Sequence, residues 1–326
     1  MKHYLHLCLL ALLLTAFGGC GGKKPRADNG SDYGPLPPAS EESTTTSEQG
    51  GASTVGPDAP VGPVPSPDFV PPKDGYVFVF GPGLARSLAF IGVLHELEHR
   101  NLPIRAIVGV EMGAVIAGVW AGSNLNNLEW EMHKFKRQTL LDMPMLGIGR
   151  KIAEGKRLYA FLDRALKVSL LQKMKVPVIV ASGTRNEGEE GATLYETNGS
   201  AKDIIRGSMG IPGVIKSYEW EGQERITAAL ESPFPAKAAK DLGLGQVICV
   251  NVLGRGDDFK AKGATEEQLA ALMRSVATTA RSQLKDCDEV VTIPTDGIGY
   301  FDFDAKADLI FRGKVAVKKW IQRARD

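Results

Sequence analysis

The most chemically loaded spacing in this chain lies in residues 107–118, "IVGVEMGAVIAG". An apolar run turns through Gly109, Glu111 and Gly113 into a stretch of small residues, so a G-x-E-x-G pattern stands at a strand-to-helix bend. In a G-x-S-x-G nucleophile elbow the middle residue is a serine, thrust out above a sheet beside the N–H groups of a helix N-terminus. Here it is Glu111. A carboxylate at that position meets unpaired N–H groups and the positive end of a helix dipole. The expectation is an ionised Glu111 with a depressed pKa that fills the anion site and plugs the pocket, with Arg86 of an upstream glycine-containing loop helping to neutralise it. The alternative is a Glu111 that points to solvent from a collapsed site.

Other reactive residue types carry weaker patterns. Ser87 follows Arg86 but has no identifiable base, and reads as the N-terminal cap of its helix. His95 and His99 stand four apart on one helical pattern; without an intervening glutamate or a third ligand they read as a solvated face, and no metal is expected. "GTRNEGEEG" lacks the alternating oxygen ligands of a calcium loop and fits a hairpin tip. Cys249 and Cys287 fall in strand or strand-edge patterns. An exported compartment permits a disulfide between them, but buried unpaired thiols are the expectation. The C-terminal "RGKVAVKKWIQRARD" gathers Lys314, Lys318, Lys319, Arg323 and Arg325 around Val315, Trp320 and Ile321. Such a helix can lie on anionic lipid; the reading adopted is a last helix with its apolar stripe on the core and its charges in water.

The elements that must position these residues follow from periodicity. From Gly75 onward apolar strands alternate with amphipathic helices, the pattern of one α/β domain with a mostly parallel sheet. Strands are expected at "YVFVF", "IRAIVGV", "VPVIVAS", "QVICVNVLG" and "DEVVTIP". Helices are expected at "SLAFIGVLHELEHRN", "MGAVIAGVWAG", "GKRLYAFLDRALK", "PAKAAKDLG" and "EEQLAALMRSVATTARSQL". With 326 residues, 43% of them hydrophobic, and a formal net charge of +1, the chain can bury a sizeable core and shows no basic excess that would suggest nucleic acid.

The N-terminal portion differs. Residues 1–20, "MKHYLHLCLLALLLTAFGGC", have Lys2 near the start, an apolar run and small residues before Cys20, which is the plan of a secretory signal. Their ending resembles the bacterial lipoprotein signal, with Phe17 where that pattern prefers leucine. That resemblance implies cleavage before Cys20, lipidation of its thiol and, with Gly21 following, placement at the outer membrane; plain secretion or a retained membrane anchor is the alternative. Residues 21–74 are rich in Pro, Gly, Ser and Thr without periodicity, and cannot bury enough surface to offset their ordering entropy. They read as a disordered linker. Fully extended at about 3.1 Å per residue, such a segment would reach on the order of 150 Å.

Taken together, "FVFGPGLARSLAFIGVLHELEHRNLPIRAIVGVEMGAVIAGVWAG", "DIIRGSMGIPGVI", "ITAALESPFPAKAAKDLG" and "GIGYFDFDAKADLIFRG" resemble, in order, the motifs of bacterial patatin-like phospholipases over nearly all of residues 75–326. The resemblance implies a three-layer α/β/α sandwich with a mostly parallel central sheet. It also implies acyl-ester hydrolysis by a Ser and Asp dyad, with Gly-rich-loop N–H groups stabilising the oxyanion and no cofactor. Carried over, the nucleophile position is Glu111, between the elbow glycines Gly109 and Gly113. The aspartate position is Thr227, followed by Ala228 and Ala229, and the loop glycines fall on Pro82, Gly83 and Leu84 ahead of Arg86.

Each departure costs the family chemistry. The attacking oxygen and its base are both missing, and such residues act as a unit. Proline has no N–H to donate, and a lost oxyanion donor typically costs about 10² to 10³ in turnover. The sequence therefore predicts a lipid-anchored, exported pseudo-phospholipase that works by binding. Its expected partners are the membrane, through the N-terminal anchor, and a lipid or acyl-chain ligand or an envelope protein. The competing expectation is a lipid acyl hydrolase with relocated residues, and a third is a purely structural envelope protein.

Overall fold

The computed structural model describes residues 75–142, 152–185, 192–241, 243, 245–255, 258 and 260–323. The expected signal and linker, with Cys20, lie outside the described residues, as do Arg325 and positions 186–191 of the hairpin tip.

Among the described residues, eight strands form one sheet: β1 (Tyr76–Phe80), β2 (Ile104–Val110), β3 (Val178–Thr184), β4 (Thr193–Glu196), β5 (Tyr218–Trp220), β6 (Gln223–Thr227), β7 (Val247–Asn251) and β8 (Glu289–Thr292). Hydrogen-bonded neighbours follow the path β5-β6-β3-β2-β1-β7-β8, with β4 also paired to β3 along the edge opposite β2 and β6. Strands β3, β2, β1, β7 and β8 run parallel, and β4, β5 and β6 are antiparallel additions. Residues 77–80 of β1 are wholly buried, as a central strand covered on both faces requires. The hairpin expected around "GTRNEGEEG" is the β3–β4 connection, where Thr184 N–H donates to the Ala192 carbonyl at 2.9 Å.

The helices are α1 (Ala89–His99), α2 (Met112–Ala121), α3 (Leu125–Lys134), α4 (Arg137–Leu140), α5 (Lys156–Ala165), α6 (Ala201–Gly207), α7 (Ala236–Asp241), α8 (Ala264–Gln283) and α9 (Lys306–Arg323). The chain steps from β1 to β2 to β3 in one direction through α1 and α2. It then steps the other way, from β7 to β8 through α8. Right-handed crossovers between parallel strands place α1 and α2 on one face of the sheet and α8 on the other, so the three layers follow from strand order. The C-terminal helix α9 packs beside α1. Its buried stripe is Leu309, Gly313, Val317, Trp320 and Ile321, and the Trp320 indole N–H donates to the Glu289 carboxylate at 2.5 Å, so the expected core-facing last helix is present.

That packing depends on two glycines. A Cβ added to Gly92 of α1 would lie 1.9 Å from the Ile310 carbonyl oxygen, and one added to Gly313 of α9 would lie 2.0 Å from the Ala89 carbonyl oxygen. The helix backbones touch where these residues cross.

Two expectations are corrected here. Cys249 and Cys287 are not unpaired thiols: they form a disulfide between β7 and the entry to β8, with Cα atoms 5.9 Å apart. Parallel pairing of these two strands, 38 residues apart in sequence at the cysteines, brings the side chains together, and neither residue's local pattern encodes that pairing. Nor is Ser87 a helix cap. Residues Leu84–Leu88 form a turn of 3₁₀ helix ahead of α1, Leu88 holds the cap position, and the buried Ser87 hydroxyl has no hydrogen-bond partner among the described residues.

Candidate functional site

Strand order reverses between β1 and β7, because the chain leaves β1 toward β2 on one side and later returns to β7 on the other. In open α/β sheets the crevice beyond the carboxyl ends of the strands at such a reversal is the usual place for a ligand. The loop after β1 holds Pro82, Gly83, Leu84 and Arg86, and the elbow after β2 holds Glu111. The sequence-predicted site residues therefore come from the loop after β1, which borders the reversal, and from the elbow after β2, one strand away.

The elbow has the expected form. Glu111 sits at φ 56° and ψ −124°, outside the regions open to ordinary L residues, and α2 begins at the next residue. A conformation of this kind costs roughly 1–3 kcal/mol and persists only where its surroundings impose it. The surroundings are tight: Gly109 packs against Ala114, and a Cβ on Gly113 would lie 2.2 Å from the Phe80 carbonyl oxygen, so α2 meets the end of β1 with no room for a side chain.

The Glu111 carboxylate does not reach solvent. It is 1% exposed, and its Oε2 accepts from the backbone N–H groups of Gly83 at 2.8 Å and Leu84 at 3.1 Å. Burial dominates its electrostatics and raises its pKa, while the N–H groups of Gly83, Leu84 and Met112 pull in the opposite direction. The expected depression is thus corrected: the N–H groups are present, but removing the carboxylate from water outweighs them.

One further expectation about the loop changes, the one for Arg86. Pro82 has no N–H to give, and the donors to Glu111 from this loop are those of Gly83 and Leu84. Leu84 takes the left-handed φ of 48° that a glycine would adopt readily, and its N–H points with that of Gly83 at one oxygen. Arg86 does not neutralise Glu111. It is fully buried and turned toward the C-terminal segment, where Nε donates to Ile298 O at 2.8 Å and Nη1 to Leu253 O at 2.6 Å. Its Nη2 pairs with Asp258 at 2.7 Å, and its guanidinium carbon lies 4.1 Å from the centre of the Tyr300 ring. Arg86 is a staple that fixes the loop to the segment after β7.

Thr227 is brought to the same place. Strand β4 occupies one edge of β3 from Val180 to Gly183, so β2 and β6 must share the other edge. On that edge Ala181 partners Val110, and the next residue, Ser182, partners Thr227. The ends of β2 and β6 therefore abut, and Glu111 and Thr227 sit at adjoining strand ends. Thr227 has no carboxylate to offer, and its hydroxyl oxygen accepts from Ala229 N–H at 3.1 Å, closing its own turn. Phe234 fills the space over the loop: a Cβ on Gly81 would lie 2.5 Å from its ring.

Sequence reasoning missed a third group beside this junction. The buried Ser182 hydroxyl donates to Glu196 Oε2 at 3.0 Å, and Glu196 pairs with Arg225 at 3.3 Å. Burial raises the Glu196 pKa, against the lowering effects of Arg225 and Ser182. Ser182 is 0% exposed, so its oxygen is not presented to a substrate. The available signal was a polar residue, Ser182, directly after the apolar run at residues 178–181 of β3. His95 and His99 lie on the outer part of α1, half-buried and exposed respectively.

A doubly flanked, mostly parallel sheet with a glycine-bearing loop after β1 and a strained elbow after β2 defines the class of patatin-type α/β folds. Residues 78–240 match the family description "Patatin-like phospholipase", and the chain belongs to that family. An uncharacterized NTE family protein of Mycobacterium tuberculosis is 27% identical over 53% of this chain and 48% of its own length. A lysophospholipase of Mycosarcoma maydis is 26% identical over 55% of this chain and 10% of its own. The chain thus spans about half the length, or less, of the curated relatives it matches. Among solved structures, VipD from Legionella pneumophila superposes with a TM-score of 0.51 at 11% identity, covering 77% of this chain and 67% of that one, a likeness of fold.

Proposed function

We propose that this protein is a lipid-anchored pseudo-phospholipase, a patatin-like domain that binds a lipid or a protein partner at the cell envelope without hydrolysing esters. The observation that carries the reading is the Glu111 carboxylate on the N–H groups of Gly83 and Leu84. Donors aimed at one oxygen at about 3 Å are the arrangement that would stabilise a developing oxyanion. Here a resident carboxylate takes both, at the residue position where a nucleophile would stand, and the adjoining strand end supplies Thr227 in place of an acid. Tethering by acylated Cys20 rests on the sequence of residues 1–20 alone.

The test is a panel of short- and long-chain acyl esters together with a fluorophosphonate probe, applied to the purified chain. No turnover and no serine adduct are expected, for the parent and for Glu111→Ser alike, because the serine would still lack a carboxylate partner. Turnover by the parent that Glu111→Ala abolishes, or an adduct on any serine of the folded domain, would restore the acyl hydrolase reading. Loss of fatty-acid labelling in Cys20→Ser would support the anchor; absence of labelling in the parent would remove it.

A further inference from the structure

The C-terminal helix α9 has a second face that packing on α1 does not use. The whole chain carries a formal charge of +1, yet α9 alone holds six Lys and Arg against one Asp. The excess is therefore segregated onto this helix, and the remainder of the chain is acidic on balance. Lys306 is engaged by the Met132, His133 and Phe135 carbonyls at the end of α3, and Arg312 pairs with Asp308 at 2.7 Å. Lys318, Lys319 and Arg323 are exposed, one turn and more beyond them.

Between α9 and the edge strand β8 runs a groove of about 570 Å³ with Val291, Pro294, Val315 and Ala316 in its walls and Lys319 and Arg323 at one end. Phe311 stands at its rim, 64% exposed. Phe311, Val315 and Lys318 recur at helical spacing, so an aromatic ring, an aliphatic side chain and an ammonium share one outward stripe. A large apolar residue in water beside clustered cations is the pattern of a helix that lies in a membrane interface, with apolar atoms in the acyl boundary and cations at the headgroups. Here the helix is already folded, because its opposite stripe is anchored in the core.

We infer that the outward face of α9, with Phe311 and the β8 groove, docks on the surface of an anionic lipid bilayer. The occupant follows from charge complementarity: headgroup phosphates match Lys318, Lys319 and Arg323, and the ring and groove match acyl chains. This contact is separate from the proposed N-terminal anchor and does not depend on the state of Glu111.

The test uses the full chain carrying Cys20→Ser, so that no acyl group contributes. It is co-sedimented with vesicles of phosphatidylglycerol mixed with phosphatidylcholine and with vesicles of phosphatidylcholine alone. A preference for the anionic vesicles that weakens with added salt is expected. Lys318→Glu with Lys319→Glu should cut that preference at least about tenfold, and Phe311→Ala should weaken anionic-vesicle binding about three- to tenfold. Unchanged melting temperatures would show that these exposed substitutions leave the fold intact. An anionic preference that survives the double charge reversal, or no preference in the parent chain, overturns the inference. Binding untouched by Phe311→Ala would overturn the part assigned to the ring and groove.

Discussion

At the scale of single residues, Glu111 is a carboxylate held by backbone N–H groups yet costly to ionise, because burial raises its pKa above the usual 4.5. The direction sets a pH dependence. Below the unfolded value both states are protonated and Glu111 costs nothing. As pH rises past that value the unfolded chain ionises first, and the cost grows until the folded carboxyl also ionises. Glu111→Gln keeps a carbonyl oxygen for the two N–H groups and removes the charge. Its melting temperature should therefore gain on that of the parent as pH rises above the ordinary carboxylate range; a gap that stays constant or shrinks would mean the carboxylate is not destabilised. Arg86 tests the opposite case. Its partner Asp258 is 2% exposed, so Asp258→Asn removes a charged hydrogen-bond acceptor from the guanidinium and should cost about 1.5–3 kcal/mol in urea denaturation.

At the scale of elements, the α1–α9 contact and the β7–β8 pair hold the C-terminal third to the sheet. Gly92→Ala puts a methyl carbon where the Ile310 carbonyl oxygen lies 1.9 Å away, so the helices must separate. Overpacking of this kind costs about 1–3 kcal/mol, measurable as a lower denaturation midpoint. The Cys249–Cys287 bridge closes a segment of 38 residues, and chain entropy assigns such a loop about 3–4 kcal/mol. Replacing both cysteines by alanine should lower the melting temperature, and reductant should then have no further effect. Periodicity predicted the elements flanking these contacts. The contacts themselves lie between side chains and backbones on different elements, which no local pattern specifies.

At the scale of the whole molecule, the sheet, both helical layers and the core of the described residues are built from Gly75 onward, and residues 21–74 have the composition of a linker. A chain lacking residues 1–74 should melt at the same temperature as the full chain within experimental error. A clear drop would assign a packing role to the N-terminal portion. The distribution of charge is also a property at this scale. A net charge of +1 hides the local excess of cations that the sequence places in the last helix, and the placement of α9, with one stripe in the core and one in water, decides which of them face solvent.

The sequence by itself determined the alternation of strands and helices, the elbow at Glu111, the absence of a serine and an aspartate from the matching positions, and the order of motifs that marks the family. These are short-range features: apolar period, glycine spacing and residue identity are all contained within a dozen neighbours. Only the tertiary structure decided what Glu111, Arg86 and Cys249 bond to. Glu111 meets Gly83 and Leu84 across 28 and 27 residues, Arg86 meets Asp258 across 172, and Cys249 meets Cys287 across 38. Strand register and loop docking set those encounters, and the same burial that brought the Glu111 carboxylate to its donors also raised its pKa. The balance between desolvation and hydrogen bonding depends on how completely the surrounding elements exclude water, a quantity that no stretch of sequence contains.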